Sequence, residues 1–147
     1  MPSLENQLEY KYPLLALDIS ETYIGLAICD GPGCAAQELF TLTRLARARD
    51  LQECARRIAD YGVAGVVLGL PLNMDGSEGE RVQWMHRFGR ELQRIITVPL
   101  YWQDERLSTV EAEERLQAEG LEHRAITERV DAMAAAIILD RFTGGIT

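Results

Sequence analysis

Four acidic residues of this sequence lie in or beside apolar segments. Asp18 falls inside the apolar run PLLALDIS, and Asp131 falls near the start of VDAMAAAIIL. Asp104 and Glu105 directly follow the strand-like run VPLYWQ. Because a carboxylate among apolar residues is costly unless it is paired or binds a cation, these acids are the candidates for chemistry.

Each acid also has an interpretation without chemistry. Asp18 could face water on a half-exposed sheet, and Asp131 could compensate the dipole at the start of a helix. The pair Asp104 and Glu105 could be a polar connection, since Ser108 and Glu111 have the spacing of a capping box that begins the next helix.

The first 45 residues have the pattern of an antiparallel three-stranded meander. The runs LLALDIS and YIGLAICD predict two strands joined by a hairpin around Ser20 to Thr22, and AAQELFTLTRL predicts a third. Apolar positions then recur at helical spacing between Arg47 and Tyr61, with Asp50 as the expected cap and Gly62 as the stop.

The remainder alternates between strand and helix. The predicted order is strand VAGVVLGL, a helix over 80–96, strand VPLYWQ, a helix begun by Ser108, and a last helix over 127–142. Such alternation indicates parallel crossover connections. We therefore expect an α/β fold with a mixed five-stranded sheet, in which two parallel crossover strands extend the meander and helices flank it.

This arrangement would bring the acids together. Strand alternation places Asp18 on the same face as Leu14 and Ala16, and helical spacing directs Asp131 toward the sheet together with three small alanines, Ala134, Ala135 and Ala136. Acids from the two strands and the last helix would then meet at one edge of the sheet, where ligands bind in such folds.

Carboxylates so close together repel one another unless a cation lies between them. An oxygen-only ligand set suits Mg²⁺ or Mn²⁺. Two such ions a few Å apart can activate water and stabilise the leaving oxygen in phosphodiester hydrolysis. The acids therefore predict a two-ion site for phosphodiester cleavage.

Composition limits the remaining possibilities. The 147 residues suit a loose leader over 1–12 and a single domain over 13–147. We expect a cytoplasmic protein without a membrane span or signal peptide. Three cysteines without a CxxC pair disfavour a zinc site or a disulfide framework. The net charge of −8 opposes non-specific attraction to nucleic acid.

The sequence resembles the YqgF/RuvX proteins of bacteria, a family associated with pre-16S ribosomal RNA processing and likened to Holliday-junction resolvases. Four stretches that span most of the chain carry the resemblance: LALDISETYIGLAICD, VVLGLPLNMDGSEGE, DERLSTVEAEERL and VDAMAAAIIL. The resemblance implies a ribonuclease H-like fold. It also implies a metal-dependent nuclease for structured RNA or branched DNA, with ribosomal precursor particles as possible partners.

The resemblance implies metal-ligand and catalytic roles for Asp18, Glu105 and Asp131, with Asp104 as the competing neighbour of Glu105. Matching of the motifs also implies that Arg106 binds a substrate phosphate and that a loop beside the site is shaped by Asn73, Asp75 and Gly76. Two further arginines, Arg124 and Arg129, precede the last acid where the family has lysines. We expect all three arginines to bind nucleic acid.

One segment departs from the family pattern. After the first aspartate, members usually have glycine, threonine and a basic residue, whereas this chain has Ile19, Ser20, Glu21 and Thr22. Glu21 would repel a phosphate. Together with the acidic net charge, it supports a different hypothesis, a non-catalytic nucleic-acid or ribosome-associated binding protein. Neither the substrate, RNA or DNA, nor the oligomeric state follows from the sequence.

Overall fold

A computed structural model describes residues 10–144 and contains a five-stranded sheet. The sheet order is β3-β2-β1-β4-β5. The first three strands are antiparallel, and β4 and β5 are added in parallel beside β1. The strand bounds are Leu14–Ile19 (β1), Tyr23–Cys29 (β2), Gln37–Thr43 (β3), Gly65–Leu70 (β4) and Leu100–Asp104 (β5). The mixed sheet predicted from the sequence is confirmed.

Four helices flank the sheet among the described residues. Their bounds are Arg47–Asp60 (α1), Glu80–Ile95 (α2), Ser108–Ala118 (α3) and His123–Thr143 (α4). Helix α2 provides the crossover between β4 and β5. None of these helices is both long enough and apolar enough to span a membrane.

The strand residues alternate between two cores, one on each face of the sheet. Leu15 and Leu17 of β1 pack on one face with buried residues of α1 and α2, including Cys54 and Phe88. Ala16 and its neighbours pack on the other face against α4. The central strand is therefore buried on both sides, and the face of Asp18 is the face covered by α4.

Two predicted helix caps are wrong. Helix α1 begins at Arg47, so Asp50 lies within its first turn, where its carboxylate accepts the Leu45 backbone N–H at 3.0 Å. Helix α3 begins at Ser108 itself, after Leu107 in the left-handed conformation, and no side chain caps it. The predicted capping box does not form because Leu107 occupies the N-cap position and Ser108 is already the first helical residue.

The last helix begins at His123, four residues before the predicted start. The prediction missed this first turn because its residues show no clear apolar stripe. The predicted leader falls mainly on residues 1–9, which lie outside the described residues. In the described end of this predicted leader, the ring of Tyr10 contacts the rings of Tyr101 and Phe142, at centroid distances of 5.1 and 4.7 Å.

Candidate functional site

Asp18 is a buried acid in the central strand. It is the penultimate residue of β1, it is only 3% exposed, and its side chain lies on the α4 face of the sheet. Gly25 of β2 pairs with Asp18 on one side. On the other side, the register of β1 with β4 brings Gly69 beside Asp18. Glycines on both neighbouring strands leave room around this carboxylate.

Gly25 lets the last helix approach Asp18. A Cβ atom on Gly25 would lie 2.0 Å from the backbone oxygen of Asp131, a distance that no real contact allows. Helix α4 therefore crosses the sheet directly over Gly25. The crossing buries Asp131 and brings it close enough to Asp18 for the charge of Asp18 to raise its pKa.

Gly69 gives the equivalent space to Glu105. A Cβ on Gly69 would meet the carboxyl carbon of Glu105 at 3.1 Å and the Ile138 Cδ1 atom at 3.0 Å. The Glu105 backbone N–H donates to the Leu70 carbonyl at 3.1 Å, which continues the pairing of β5 with β4 past the strand end. The Glu105 side chain lies over Gly69, where it acts on the pKa of Asp18.

The pKa values of the three acids reflect this crowding. Burial, followed by the charge of Glu105, raises the pKa of Asp18 well above its ordinary value. Burial is also the main cause of the raised pKa of Glu105. Burial and the charge of Asp18 raise the pKa of Asp131 to about 6. Each acid therefore retains a proton more readily than a carboxyl in water.

Asp104 and Glu105 have different partners. The Asp104 carboxylate accepts hydrogen bonds from the Arg106 backbone N–H at 2.9 Å and from its Nε at 2.8 Å. Burial raises the pKa of Asp104, but the bonds from Arg106 outweigh it and leave the pKa below its ordinary value. Glu105 rather than Asp104 is thus the acid placed beside Asp18.

The donor set suits a hard divalent cation, although the ligands are not fully assembled. Among residues 10–144, no three acidic, histidine or cysteine side chains already form a closed metal-binding group. Asp18 and Glu105 instead act on each other's pKa, and without a cation one of two adjacent carboxyl groups tends to keep a proton. A cation bound there would replace that proton, and three carboxylates supply the oxygen ligands that Mg²⁺ and Mn²⁺ prefer.

The loop after β4 lies beside Arg106. The Asn73 backbone N–H donates to the Ser77 carbonyl at 2.9 Å, and Asp75 accepts the Ser77 N–H, also at 2.9 Å. Gly76 has a φ of 87°, and a Cβ there would lie 3.5 Å from the Arg106 guanidinium. Asn73, Asp75 and Gly76 thus shape a tight turn beside this arginine.

The three predicted nucleic-acid arginines differ in their partners. Arg106 forms an ion pair with Asp104 at 2.7 Å. Arg129 pairs with Glu38, and its other terminal nitrogen lies 3.5 Å from Glu119. The Arg124 side chain is 93% exposed, with only a 3.9 Å approach to Glu128. Acids thus already neutralise Arg106 and Arg129.

Three residues that lie at the site, Gly25, Gly69 and Arg81, were not predicted from the sequence. Gly25 and Gly69 had a usable signal, since a glycine inside an apolar strand often marks a close approach. Arg81 had none, because it lies on a helix far along the chain from Asp18. Its guanidinium donates to the Ile19 carbonyl at 2.8 Å, and its charge opposes the raised pKa values of Asp18 and Glu105.

The chain is similar to solved resolvases across most of its length. Thermus thermophilus RuvC has a TM-score of 0.55 and 13% identity, covering 90% of this chain and 97% of that chain. Fowlpox virus resolvase, solved with Holliday junction DNA, has a TM-score of 0.57 and 10% identity over 90% of this chain and 97% of that chain. At such low identity the likeness establishes the fold alone, which is ribonuclease H-like, as predicted.

Sequence comparison gives a closer relationship. An Anaeromyxobacter sp. (strain Fw109-5) protein named "Putative pre-16S rRNA nuclease" is 43% identical over 89% of this chain and 96% of its own. A Rhodobacter capsulatus protein of the same name is 40% identical over 86% of this chain and 79% of its own. The family model described as "RuvX: Holliday junction resolvase" matches residues 13–143. The chain therefore belongs to the RuvX family.

Proposed function

We propose that this protein is a metal-dependent nuclease that hydrolyses phosphodiester bonds of structured RNA, with the 5′ processing of pre-16S rRNA as its cellular task, or of branched DNA. One observation carries the proposal: Asp18 of β1, Glu105 at the end of β5 and Asp131 of α4 are placed at one edge of the sheet by Gly25 and Gly69, and burial raises the pKa of each. A site of this kind has little structural value without a cation.

In this proposal Asp18, Glu105 and Asp131 hold Mg²⁺ or Mn²⁺. Two bound metal ions would supply an activated water and stabilise the leaving oxygen of the phosphodiester. The protein's part is to fix the three carboxylates: Gly25 and Gly69 let Asp131 and Glu105 approach Asp18. The hydrophobic packing around them limits the access of water to the carboxylates.

The names of the relatives support the substrate class. The proteins at 40 to 43% identity are named for pre-16S rRNA, and the solved resolvases for Holliday junctions. Both substrates are structured nucleic acids with phosphodiester bonds exposed at a junction or an end. Ribosomal RNA precursors in the cytoplasm are the favoured substrate, because the closer relatives carry that name.

The test is a cleavage assay on three probes: a stem-loop RNA, duplex DNA and a four-way DNA junction. Each probe is incubated with the protein and Mg²⁺, Mn²⁺ or chelator. We expect cleavage of RNA or of the junction with either ion and none in chelator. Full activity in chelator, or no cleavage of any probe with either ion, would contradict the proposal.

A second function is favoured by the charge of the chain. A net charge of −8 and the exposed Glu21 beside the acids both weaken attraction to nucleic acid. They suit a ribosome-associated binding protein that keeps the fold without catalysis. In that case the protein would bind the stem-loop RNA in a gel-shift measurement but would leave it intact in the cleavage assay with either ion.

A further inference from the structure

Three arginines surround one indole ring beside the acidic site. The guanidinium carbons of Arg44, Arg47 and Arg81 lie 4.6, 5.5 and 5.5 Å from the ring centroid of Trp84. Trp84 is partly exposed on α2, and its other neighbour is the stacked ring of Phe88. Cation–π attraction to the indole lets like charges gather here at reduced cost.

Two of these arginines reach the turn that follows Asp18. Arg81 donates from Nη2 to the Ile19 carbonyl at 2.8 Å, and Arg44 donates from Nη1 to the Ser20 carbonyl at 2.9 Å. The two bonds attach the guanidinium groups to consecutive residues immediately after Asp18. Positive charge is thus held at the turn where the exposed Glu21 would repel a phosphate.

The charges of the three arginines are unequally compensated. Arg44 pairs with Asp50 at 3.2 Å, and Arg47 pairs with Glu91 at 2.9 Å. Within the described part of the chain, Arg81 forms no ion pair with a carboxylate. Arg81 is also the arginine whose guanidinium is bonded to the residue directly after Asp18. The excess positive charge of the group therefore lies at Arg81, on the side of the acids.

We infer that Arg81 binds the phosphodiester on which the three carboxylates act, held in place by Trp84 and by the Ile19 carbonyl. The inference rests on the proposed nuclease function. A guanidinium has five N–H donors in a planar fork that matches two phosphate oxygens, and the bond to Ile19 uses one of them. The remaining donors are available beside the acids.

This site differs from the one predicted from the sequence. Arg106 and Arg129 are neutralised by acids, and Arg124 is exposed at the start of α4. Arg81 instead donates to the carbonyl of Ile19, the residue directly after Asp18, so that a phosphate bound to Arg81 would lie beside the carboxylates. A competing role is purely structural: Arg81 could only compensate the charge of the acids.

The test is a binding measurement that needs no turnover. Fluorescence anisotropy is recorded with a labelled stem-loop RNA and a four-way DNA junction, with Ca²⁺ as the cation, over a series of salt concentrations. The variants are Arg81→Gln, Arg81→Lys and the control Arg90→Gln. Arg90 is an exposed arginine nine residues further along α2, which puts it on the opposite side of the helix.

We expect Arg81→Gln to weaken binding roughly 10-fold or more and to reduce the salt slope by about 0.7 to 0.9, the share of one phosphate contact. Arg81→Lys should keep the salt slope but bind several-fold more weakly, since lysine cannot form the two-pronged contact. Arg90→Gln should leave the slope unchanged. Thermal melts in chelator show whether each variant is folded, and Arg81→Lys decides the question if Arg81→Gln is not.

The contrary results are distinct. If Arg81→Gln binds as tightly as wild type and loses only thermal stability in chelator, Arg81 is a structural counter-ion and the inference is wrong. It is also wrong if Arg81→Lys binds like wild type, if Arg90→Gln has the same effect as Arg81→Gln, or if the wild type binds neither probe. Absence of cleavage by wild type with Mn²⁺ would instead defeat the proposed function, and the binding comparison would remain valid.

Discussion

At the scale of single residues, the proposed activity depends on three acids that are expensive to bury. Asp18 is the most enclosed of them, and burial, followed by the charge of Glu105, raises its pKa well above the ordinary value. A protein that only needed a stable sheet could place an apolar residue at position 18 at no cost. The proposed ligand role would explain the aspartate there.

Removal of any one acid should abolish cleavage. We predict that Asp18→Asn, Glu105→Gln and Asp131→Asn each reduce the cleavage rate to the background and that the double variants are no worse, because the acids act as a unit. The matched control is Asp140→Asn, on the same helix as Asp131. Its carboxylate accepts the Ala36 N–H at 2.8 Å, away from the site. An Asp131→Asn protein as active as wild type would exclude Asp131 from the site.

The raised pKa of Asp131 predicts a pH dependence of stability. Its folded-state pKa of about 6 exceeds the ordinary value of 3.8, so between these values the folded protein binds more protons than the unfolded chain. In chelator, this group should therefore lower the free energy of unfolding as pH rises from about 4 to about 6, by on the order of 2 kcal/mol. Urea unfolding at several pH values should show a smaller decline in Asp131→Asn. Equal declines would assign the pH dependence to other groups.

At the scale of secondary-structure elements, the order and pairing of strands followed from the sequence, whereas the close contacts did not. Alternation in LLALDIS put Asp18 on the correct face, and the small residues of α4 indicated that it packs closely on the sheet. The position of the crossing over Gly25 depends on how the whole helix docks, which no local pattern contains. For the same reason Arg81 could not be connected to Ile19.

Gly25 should be essential to the position of α4. In Gly25→Ala the new methyl group would overlap backbone atoms of Asp131 and Ala132, which cannot move independently of the helix. We expect a loss of several kcal/mol in unfolding free energy, roughly the upper range of overpacking, together with loss of cleavage. Gly31→Ala is the control, because a Cβ there has no atom within 4 Å. Equal unfolding free energies for the two variants in urea would mean that α4 does not lie on Gly25.

Gly69→Ala should separate activity from stability. Its Cβ would meet the flexible Glu105 side chain and the end of Ile138 rather than backbone. These atoms can shift by a few tenths of an ångström, so we expect a destabilisation of about 1 kcal/mol but a large loss of cleavage, because Glu105 moves from Asp18. Thermal melts and cleavage rates measured on one preparation test this. Wild-type activity in a folded Gly69→Ala protein would show that the position of Glu105 is not critical.

At the scale of the whole molecule, the net charge of −8 requires nucleic acid to be attracted locally. Of the arginines predicted to do this, Arg106 and Arg129 must first release their acidic partners, whereas Arg124 is almost fully exposed. The charge of Arg81, by contrast, acts directly on the carboxylates, since it lowers the pKa of both Asp18 and Glu105. A local arrangement of this kind gives attraction that is confined to one edge of the sheet.

The salt dependence of RNA binding should show how much each predicted arginine contributes to phosphate binding. For each of Arg106→Ala, Arg124→Ala and Arg129→Ala, we predict weaker binding of the stem-loop RNA and a salt slope reduced by roughly 0.7 to 0.9 for each phosphate that the variant no longer binds. The effect should be largest for Arg124, whose charge is least compensated. An affinity that does not change with salt concentration would show that no basic surface takes part.

The most direct test of the central claim, that the acids form a cation site, compares thermal melts of wild type, Asp18→Asn and Asp140→Asn in chelator and in millimolar Mn²⁺. Neutralising one of three crowded acids relieves repulsion. In chelator, Asp18→Asn should therefore melt at a temperature equal to or above that of wild type, which corresponds to a gain in unfolding free energy on the order of 1 kcal/mol. It should lose most of the stabilisation that Mn²⁺ gives wild type by binding only the folded state, whereas Asp140→Asn should keep it. An Asp18→Asn protein that is clearly less stable in chelator, with an unchanged Mn²⁺ shift, would mean that Asp18 serves the fold and that the cation site does not exist.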